Sequence, residues 1–309
     1  MKSEQIRVAL LLLPILIFLV FVSVSYALNI IATVTVVPKI PQITILSPIN
    51  TIYGYSLVPV SVKIDEPVKI LQMSIDGQKF QTLCTKCNSY YMFYYFEDGS
   101  HNLKFKAVNY DNNEGSNSVN FAVDSVKPVI IKTEPGNAEY VRGTVAFNII
   151  YTENNLKGIT LFYQTTSLSS YQMIDCPSGF RRQCSTALDL SSYNGQLSYY
   201  FTVEDYAHVV NSEVKTIFVD NLPPTISVLS PFNQTYRQPP ILNFKTDEQV
   251  TLEMSDNGNR FKTLCTDCIS YNKPYYLWYF FSYGIHNLQI RATDRAGNVG
   301  YSSVTFTLL

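Results

Sequence analysis

Charge is what this chain has least of. Charged residues make up 15% of its 309 positions, against the usual quarter, and the net charge is −1. No broad basic field exists for a nucleic-acid backbone, so nucleic acid is excluded as a partner. Histidine occurs only three times and tryptophan once. No Ser/His/Asp set, HExxH run, repeated pair of acids or phosphate-cradling glycine loop appears. The chain therefore reads as a non-enzyme with no cofactor and no metal motif. Helical periodicity is missing too after residue 27. Tyrosine (23) and phenylalanine (18) are abundant instead, which favours strands.

The N-terminus explains where the chain works. Lys2 and Arg7 precede an apolar run from Val8 to Val22, and Ser25 and Ala27 are the small residues of a signal-peptidase site. Residues 1–27 are read as a signal peptide or a membrane anchor helix, the only membrane contact expected. Cleavage after Ala27 is the favoured form, because Asn29 interrupts the apolar run. Either form exports the rest, to the cell surface or the extracellular space.

Six cysteines in three close pairs fit that oxidising setting. Two of the pairs belong to an octapeptide that occurs in two versions, Phe80 to Cys87 and Phe261 to Cys268. A shift of 181 residues (265 − 84) superposes eleven of the eighteen positions from 73 to 90 on 254 to 271, which means duplication. Cys84 with Cys87, Cys265 with Cys268, and Cys176 with Cys184 are expected to be disulfides stapling loops. Zinc would need a fourth ligand beside Cys84, Cys87 and His101, and a thioredoxin-like role would need a βαβ pattern.

Three segments open alike, at Pro41, Pro128 and Pro224, which are 87 and 96 residues apart (128 − 41, 224 − 128). Period-2 alternation follows each opening. Val58, Val60, Val62 and Ile64 lead through Leu71, Met73 and Ile75 into an Asp76-Gly77 turn. About seven strands in about ninety residues is the sandwich signature. The expected fold is all-β, with three tandem sandwiches at 41–127, 128–221 and 222–309, after an extra strand and linker at 28–40. Proline-bearing linkers predict a semi-rigid rod.

Gly284-Ile285-His286-Asn287-Leu288, followed by Ala292-Thr293-Asp294-Arg295-Ala296-Gly297-Asn298, resembles a segment of the tandem immunoglobulin-like domains of bacterial and archaeal cell-surface proteins. Gly99 to Leu103 repeats its first half, with Asn109 in place of the aspartate, and the middle segment keeps Asp205 and Ala207. The resemblance spans almost everything from residue 41. It implies immunoglobulin-like sandwiches used for adhesion, surface-layer assembly or spacing.

The leading expectation is an exported structural or adhesive array, a surface-layer, filament or cell-contact component. The alternative is an accessory module binding glycans or proteins for a secreted system. Candidate binding aromatics are Tyr94, Tyr275, Tyr276 and Trp278, on runs whose outward half leaves rings on a sheet face. Asn233 heads the one N-x-S/T sequon. The turn from Asp294 to Asn298, with Asp124 and Asp220 in the linkers, offers oxygens to calcium, though such residues also serve ordinary turns. Arg181 and Arg182 form a small basic tip, and His101 and His286 are expected to be structural. Residues 28–37, an apolar strand with no domain before it, suggest self-association by strand donation to a neighbour.

Overall fold

The computed structural model describes residues 38–274 and 281–309, and every described element is a strand. The signal or anchor segment, the strand at 28–37, Tyr275, Tyr276 and Trp278 lie outside the described residues. The remaining chain falls into two compact bodies. One comprises residues up to Ser47, Ser61–Tyr91 and Asn102–Val119; the other comprises Pro48–Val60, Met92–His101 and everything from Asn120 onwards.

The first set of strands is β1 (Ile43–Ser47), β2 (Ile52–Tyr53), β3 (Leu57–Ile75), β4 (Gln81–Tyr95), β5 (Gly99–Val108) and β6 (Glu114–Val123). They form one six-stranded sheet in the order β1-β3-β5-β6-β2, with β4 on β3. The nineteen-residue β3 serves both layers because it changes partner along its length. Residues 61–64 pair with β1, and residues 70–75 pair with β5. Alternation buries Val62, Ile64 and Val68, then slips by one residue so that Leu71 and Met73 are buried in the half that pairs with β5. Asp76 and Gly77 both take positive φ (49° and 74°), which reverses the chain at the turn read from the sequence.

The second set is β7 (Val129–Glu134), β8 (Tyr140–Val141), β9 (Thr144–Glu153), β10 (Leu156–Gln164), β11 (Leu168–Met173), β12 (Gly179–Asp189), β13 (Gly195–Asp205), β14 (Val209–Asn211) and β15 (Lys215–Val219). Here the layers separate into two sheets, β12-β9-β7 and β11-β10-β13-β15-β8, with β14 on β13. One core lies between them, with Phe147, Ile149 and Tyr151 from β9 against Tyr199, Phe201 and Val203 from β13. The Tyr199 hydroxyl donates to the Pro135 carbonyl, and burial pushes its pKa well above the usual phenol range.

The third set is β16 (Ile226–Ser230), β17 (Thr235–Tyr236), β18 (Ile241–Asp256), β19 (Lys262–Pro274), β20 (Gly284–Thr293) and β21 (Val299–Leu308). Its order, β16-β18-β20-β21-β17 with β19 on β18, repeats the first set element for element. Strand β18 pairs β16 through residues 243–246 and β20 through residues 251–256, so it too turns the corner between layers. In all three sets a short parallel pair (β2–β6, β8–β15, β17–β21) joins the opening segment to the last strand. This switch of the first strand between sheets, with antiparallel pairing elsewhere, is immunoglobulin-like topology.

Candidate functional site

Two clusters of three carboxylates stand out, each drawn from corresponding strands. The first joins Asp124, just after β6, with Glu153 at the end of β9 and Asp205 at the end of β13. Each offers one oxygen, and these oxygens all lie within 4.8 Å of one another. All three residues are buried. Burial foremost, and the Asp205 charge second, raises the Asp124 pKa; burial likewise raises that of Glu153. Asn155 donates from its backbone N–H to Glu153 Oε1 (2.6 Å) and from Nδ2 to Asp124 Oδ2 (3.3 Å). Asp205 accepts from the Ala207 N–H (2.6 Å) and the His208 N–H, and its Oδ2 lies 3.2 Å from His208 Nδ1. His208 Nε2 in turn lies 3.0 Å from the Gly54 carbonyl, in the β2–β3 turn.

The second cluster repeats the plan with Asp220 after β15, Glu248 in β18 and Asp294 after β20. Asn298 ties it together. Its N–H donates to Asp294 Oδ1 and its Nδ2 to Asp294 Oδ2 and the Asp220 carbonyl, each at 2.8 Å. Arg142 Nη1 donates to Asn298 Oδ1 (3.3 Å), and the Arg295 guanidinium lies over the Tyr140 ring at 5.6 Å. The Glu248 pKa is pushed up to about 7, first by burial and then by the charges of Asp220, Asp294 and Asp247.

A third version, in the other compact body, carries its own cation. Lys39 Nζ lies 2.6 Å from Glu66 Oε2, and Asn109 Nδ2 donates to Glu66 Oε1 (3.2 Å) and the Lys39 carbonyl (2.9 Å). Where Asp205 and Asp294 stand in the other two, Asn109 removes a charge and Lys39 supplies the opposite one. The two all-carboxylate clusters could hold a hard divalent cation through oxygen ligands, with Asn298 positioning one of them.

Such groupings set a pH dependence whose sign is fixed. A carboxyl raised in the folded state binds more protons folded than unfolded, so stability falls as pH rises between its ordinary and raised values. For Glu248 that window runs from about 4.5 to about 7. In chelator-treated buffer, Glu248→Gln should therefore melt higher than the parent at pH 8 and level with it at pH 4. The gain, discounted for solvent screening, is about 1 kcal/mol. An unchanged difference between the two melting curves across this range would count against repulsion at this cluster.

Sequence reading grouped Asp294 and Asn298 with both linker aspartates. Asp220 does join Asp294, but Asp124 belongs to the other cluster. Glu153 and Glu248 were missed. Their signal was the Asp65-Glu66 pair recurring as Asp247-Glu248, with Thr152-Glu153 between.

The cysteines pair as Cys84–Cys87, Cys176–Cys184 and Cys265–Cys268. None of them is free for zinc. Their setting corrects two of the expected loops, because Cys84 and Cys87 lie inside β4 and Cys265 and Cys268 inside β19; Cys176, between β11 and β12, closes a loop onto Cys184 inside β12. Opposite Val250 and Leu252, β19 places Cys268 and Cys265, with two residues between them against one, which is a β-bulge. Lys86 and Asp267 take positive φ (53° and 51°), turning the paired sulfurs towards each other.

Cys184 is part of the core, whereas Cys84 and Cys87 are half-buried. Replacing Cys176 and Cys184 together by alanine should cost about 3 kcal/mol, and replacing Cys84 and Cys87 about 1–2 kcal/mol. Melting of the two double variants by circular dichroism checks the order.

The other expected residues stay apart from these clusters. Tyr94 is half-buried, its ring 6.5 Å from that of Phe96. Asn233 is exposed just before β17, open to modification. Arg181 and Arg182 are exposed at the start of β12, and Arg182 Nε donates to the Ser178 carbonyl (3.2 Å). His101 Nε2 lies 2.8 Å from the Glu97 carbonyl. His286 is buried between Asp256 Oδ2 (2.8 Å from Nδ1) and the Ser282 carbonyl (2.7 Å from Nε2), against the Phe306 ring.

No family model and no curated protein matches the chain. Among solved structures it is similar to a tetra-tandem repeat from the extending region of a large adhesion protein. Identity there is 17%, with 88% of this chain and 74% of that one covered, at a TM-score of 0.35. It is also similar to a structure from a 1.5-MDa bacterial ice-binding adhesin, at 11% identity, 88% and 100% coverage and TM-score 0.32. A third is the I9–I11 tandem of titin, at 11% identity, 87% and 99% coverage and TM-score 0.29.

Proposed function

We propose that this chain is an exported, non-enzymatic structural and adhesive module of immunoglobulin-like sandwiches, with domains at 41–127, 128–221 and 222–309. The observation that carries the reading is the repeated joint. Asp124, Glu153 and Asp205 at one boundary correspond to Asp220, Glu248 and Asp294 at the next, and hydrogen bonds reach across each. Placing buried or half-buried carboxylates twice on the same connection fits a chain whose task is to hold successive domains in register. Three closed disulfides support an oxidising compartment outside the cytoplasm.

The module associates with copies of itself through residues 28–37 and meets cell-surface proteins or glycans through exposed aromatic side chains. Light scattering and electron microscopy on the chain purified from its native envelope test this. Concentration-dependent assemblies lost on deleting residues 28–37 are the expected result. An unchanged monomeric mass with and without that segment would overturn self-association. Selective glycan-array binding lost in Trp278→Ala would favour the accessory-module reading instead. Intact mass spectrometry of the same sample reports cleavage after Ala27, glycan on Asn233 and the oxidation state of all six cysteines.

A further inference from the structure

The middle set of strands differs from its neighbours in one way that opens it. Six residues after Asn109, Asp205 and Asp294 stand Gly115, Asn211 and Gly300 (115 − 109, 211 − 205, 300 − 294). In the outer two sets the opening strand comes so close that a Cβ on either glycine would sit 1.9 Å from a proline carbonyl oxygen, of Pro41 or Pro224. Asn211 cannot accept that approach. The last strand, an unbroken ten residues in β6 and β21, is here divided into β14 and β15 by residues 212–214.

A cleft of about 580 Å³ results, lined by the stretch from Pro128 to Thr133 on one side and from Val210 to Glu213 with Lys215 on the other. Lys215 Nζ donates across it to the Thr133 carbonyl (2.6 Å). Among the described residues, β7 is the end strand of its sheet and β14 pairs with β13 alone, so each flank presents one strand edge to which no described strand is paired. Val129 (54% exposed) and Ile131 (41%) stand in the open there, beside half-buried Val210. The β7 edge beside exposed β-branched side chains offers itself to one added strand along the cleft.

We propose that this cleft accepts residues 28–37 of a second copy of the chain. The inference rests on the self-association reading above and supplies its receptor. Leu28 to Val37 carry no charge, and alternation puts Ile30, Ala32, Val34 and Val36 on one apolar face and Asn29, Ile31, Thr33, Thr35 and Val37 on a mixed one. Six of those ten residues match the six-residue length of β7. A residue before proline favours extended backbone, which holds for Val37 before Pro38. Lys39, two residues on, is pinned by Glu66 and Asn109. The segment is thus tethered at its Lys39 end, with an uncharged stretch before it for another copy to take up.

The test uses the full chain with a photo-crosslinking benzoylphenylalanine in place of Val34, mixed as heavy- and light-isotope copies so that links between copies are distinguished by mass. The expected result is links from position 34 to residues 128–133 or 210–215 of another copy. Ile131→Lys, exposed and outside the core, should cut their yield at least tenfold without changing the melting temperature. Links between copies that fall only elsewhere, or that persist in Ile131→Lys, would overturn the cleft as receptor and leave self-association standing. Links only within one copy, or none, would overturn both.

Discussion

Gly300→Ala is expected to lower the melting temperature of the third set of strands by about 10–20 °C, and Gly115→Ala to do the same to the first. Neither glycine is needed for a positive φ. Each is needed for the space its missing Cβ leaves, because that Cβ would lie 1.9 Å from the carbonyl oxygen of Pro224 or Pro41. The atom in the way is backbone, so it cannot rotate aside, and the opening strand must move off the last one. At Gly300 the neighbouring contact is the Thr225 N–H donating to Asp247 Oδ1 (2.8 Å), which that movement would break. A steric term of overpacking size plus a lost hydrogen bond comes to about 3 kcal/mol. For a domain of this size that converts to the stated range. Gly77→Ala is the control, since nothing stands within 4 Å of its Cβ and only its φ of 74° is penalised. It should cost about 1 kcal/mol. Melting curves on the three variants decide the matter, and a Gly300→Ala shift no larger than that of Gly77→Ala would show that the strands tolerate separation.

Period-2 alternation was a reliable guide to the fold because burial obeys it within each half of a long strand. Val58, Val60, Val62 and Ile64 are all buried, and so are Leu71 and Met73 further along the same strand. What alternation did not make plain was that β3 and β18 run through two layers: β18 keeps its parity from Leu242 to Met254, and in β3 the one trace is a slip of a residue between Val68 and Leu71. The same limit misplaced the CxxC pairs. Two cysteines three apart read as a turn, yet one residue in left-handed conformation, Lys86 or Asp267, is enough to bring them together inside a strand. The carboxylate clusters were half legible. Asp124, Asp220 and Asp294 sit beside linkers and turns where such residues attract notice. Glu153 and Glu248 end or interrupt ordinary strands, and only the fold brings them within 4.8 Å of the others. The cleft in the middle set was invisible, since its signal is one asparagine where two distant repeats have glycine.

Asp205 supports the second large effect, and its two replacements should part company. The carboxylate is buried and accepts from the backbone N–H groups of Ala207 and His208, while its other oxygen faces His208 Nδ1. Asp205→Ala leaves those two N–H groups without an acceptor, at roughly 1–3 kcal/mol each, and frees the His208 ring that reaches the Gly54 carbonyl. Losing a negative charge next to Asp124 and Glu153 offsets part of this, so a net loss of about 2–4 kcal/mol is expected at pH 7. Asp205→Asn keeps an oxygen for the two N–H groups and removes only the charge. It should stay within about 1 kcal/mol of the parent. It should also flatten the pH dependence of melting in chelator-treated buffer. The Asp124 and Glu153 carboxyls are raised by burial and then by the Asp205 charge, among other groups. A raised carboxyl destabilises the fold as pH climbs from its ordinary value to its folded one, so removing Asp205's charge narrows that window from above. Melting of both variants between pH 4 and pH 8 separates the roles. Equal losses for Ala and Asn would mean that the charge itself, not the hydrogen-bonded turn, is what the joint requires.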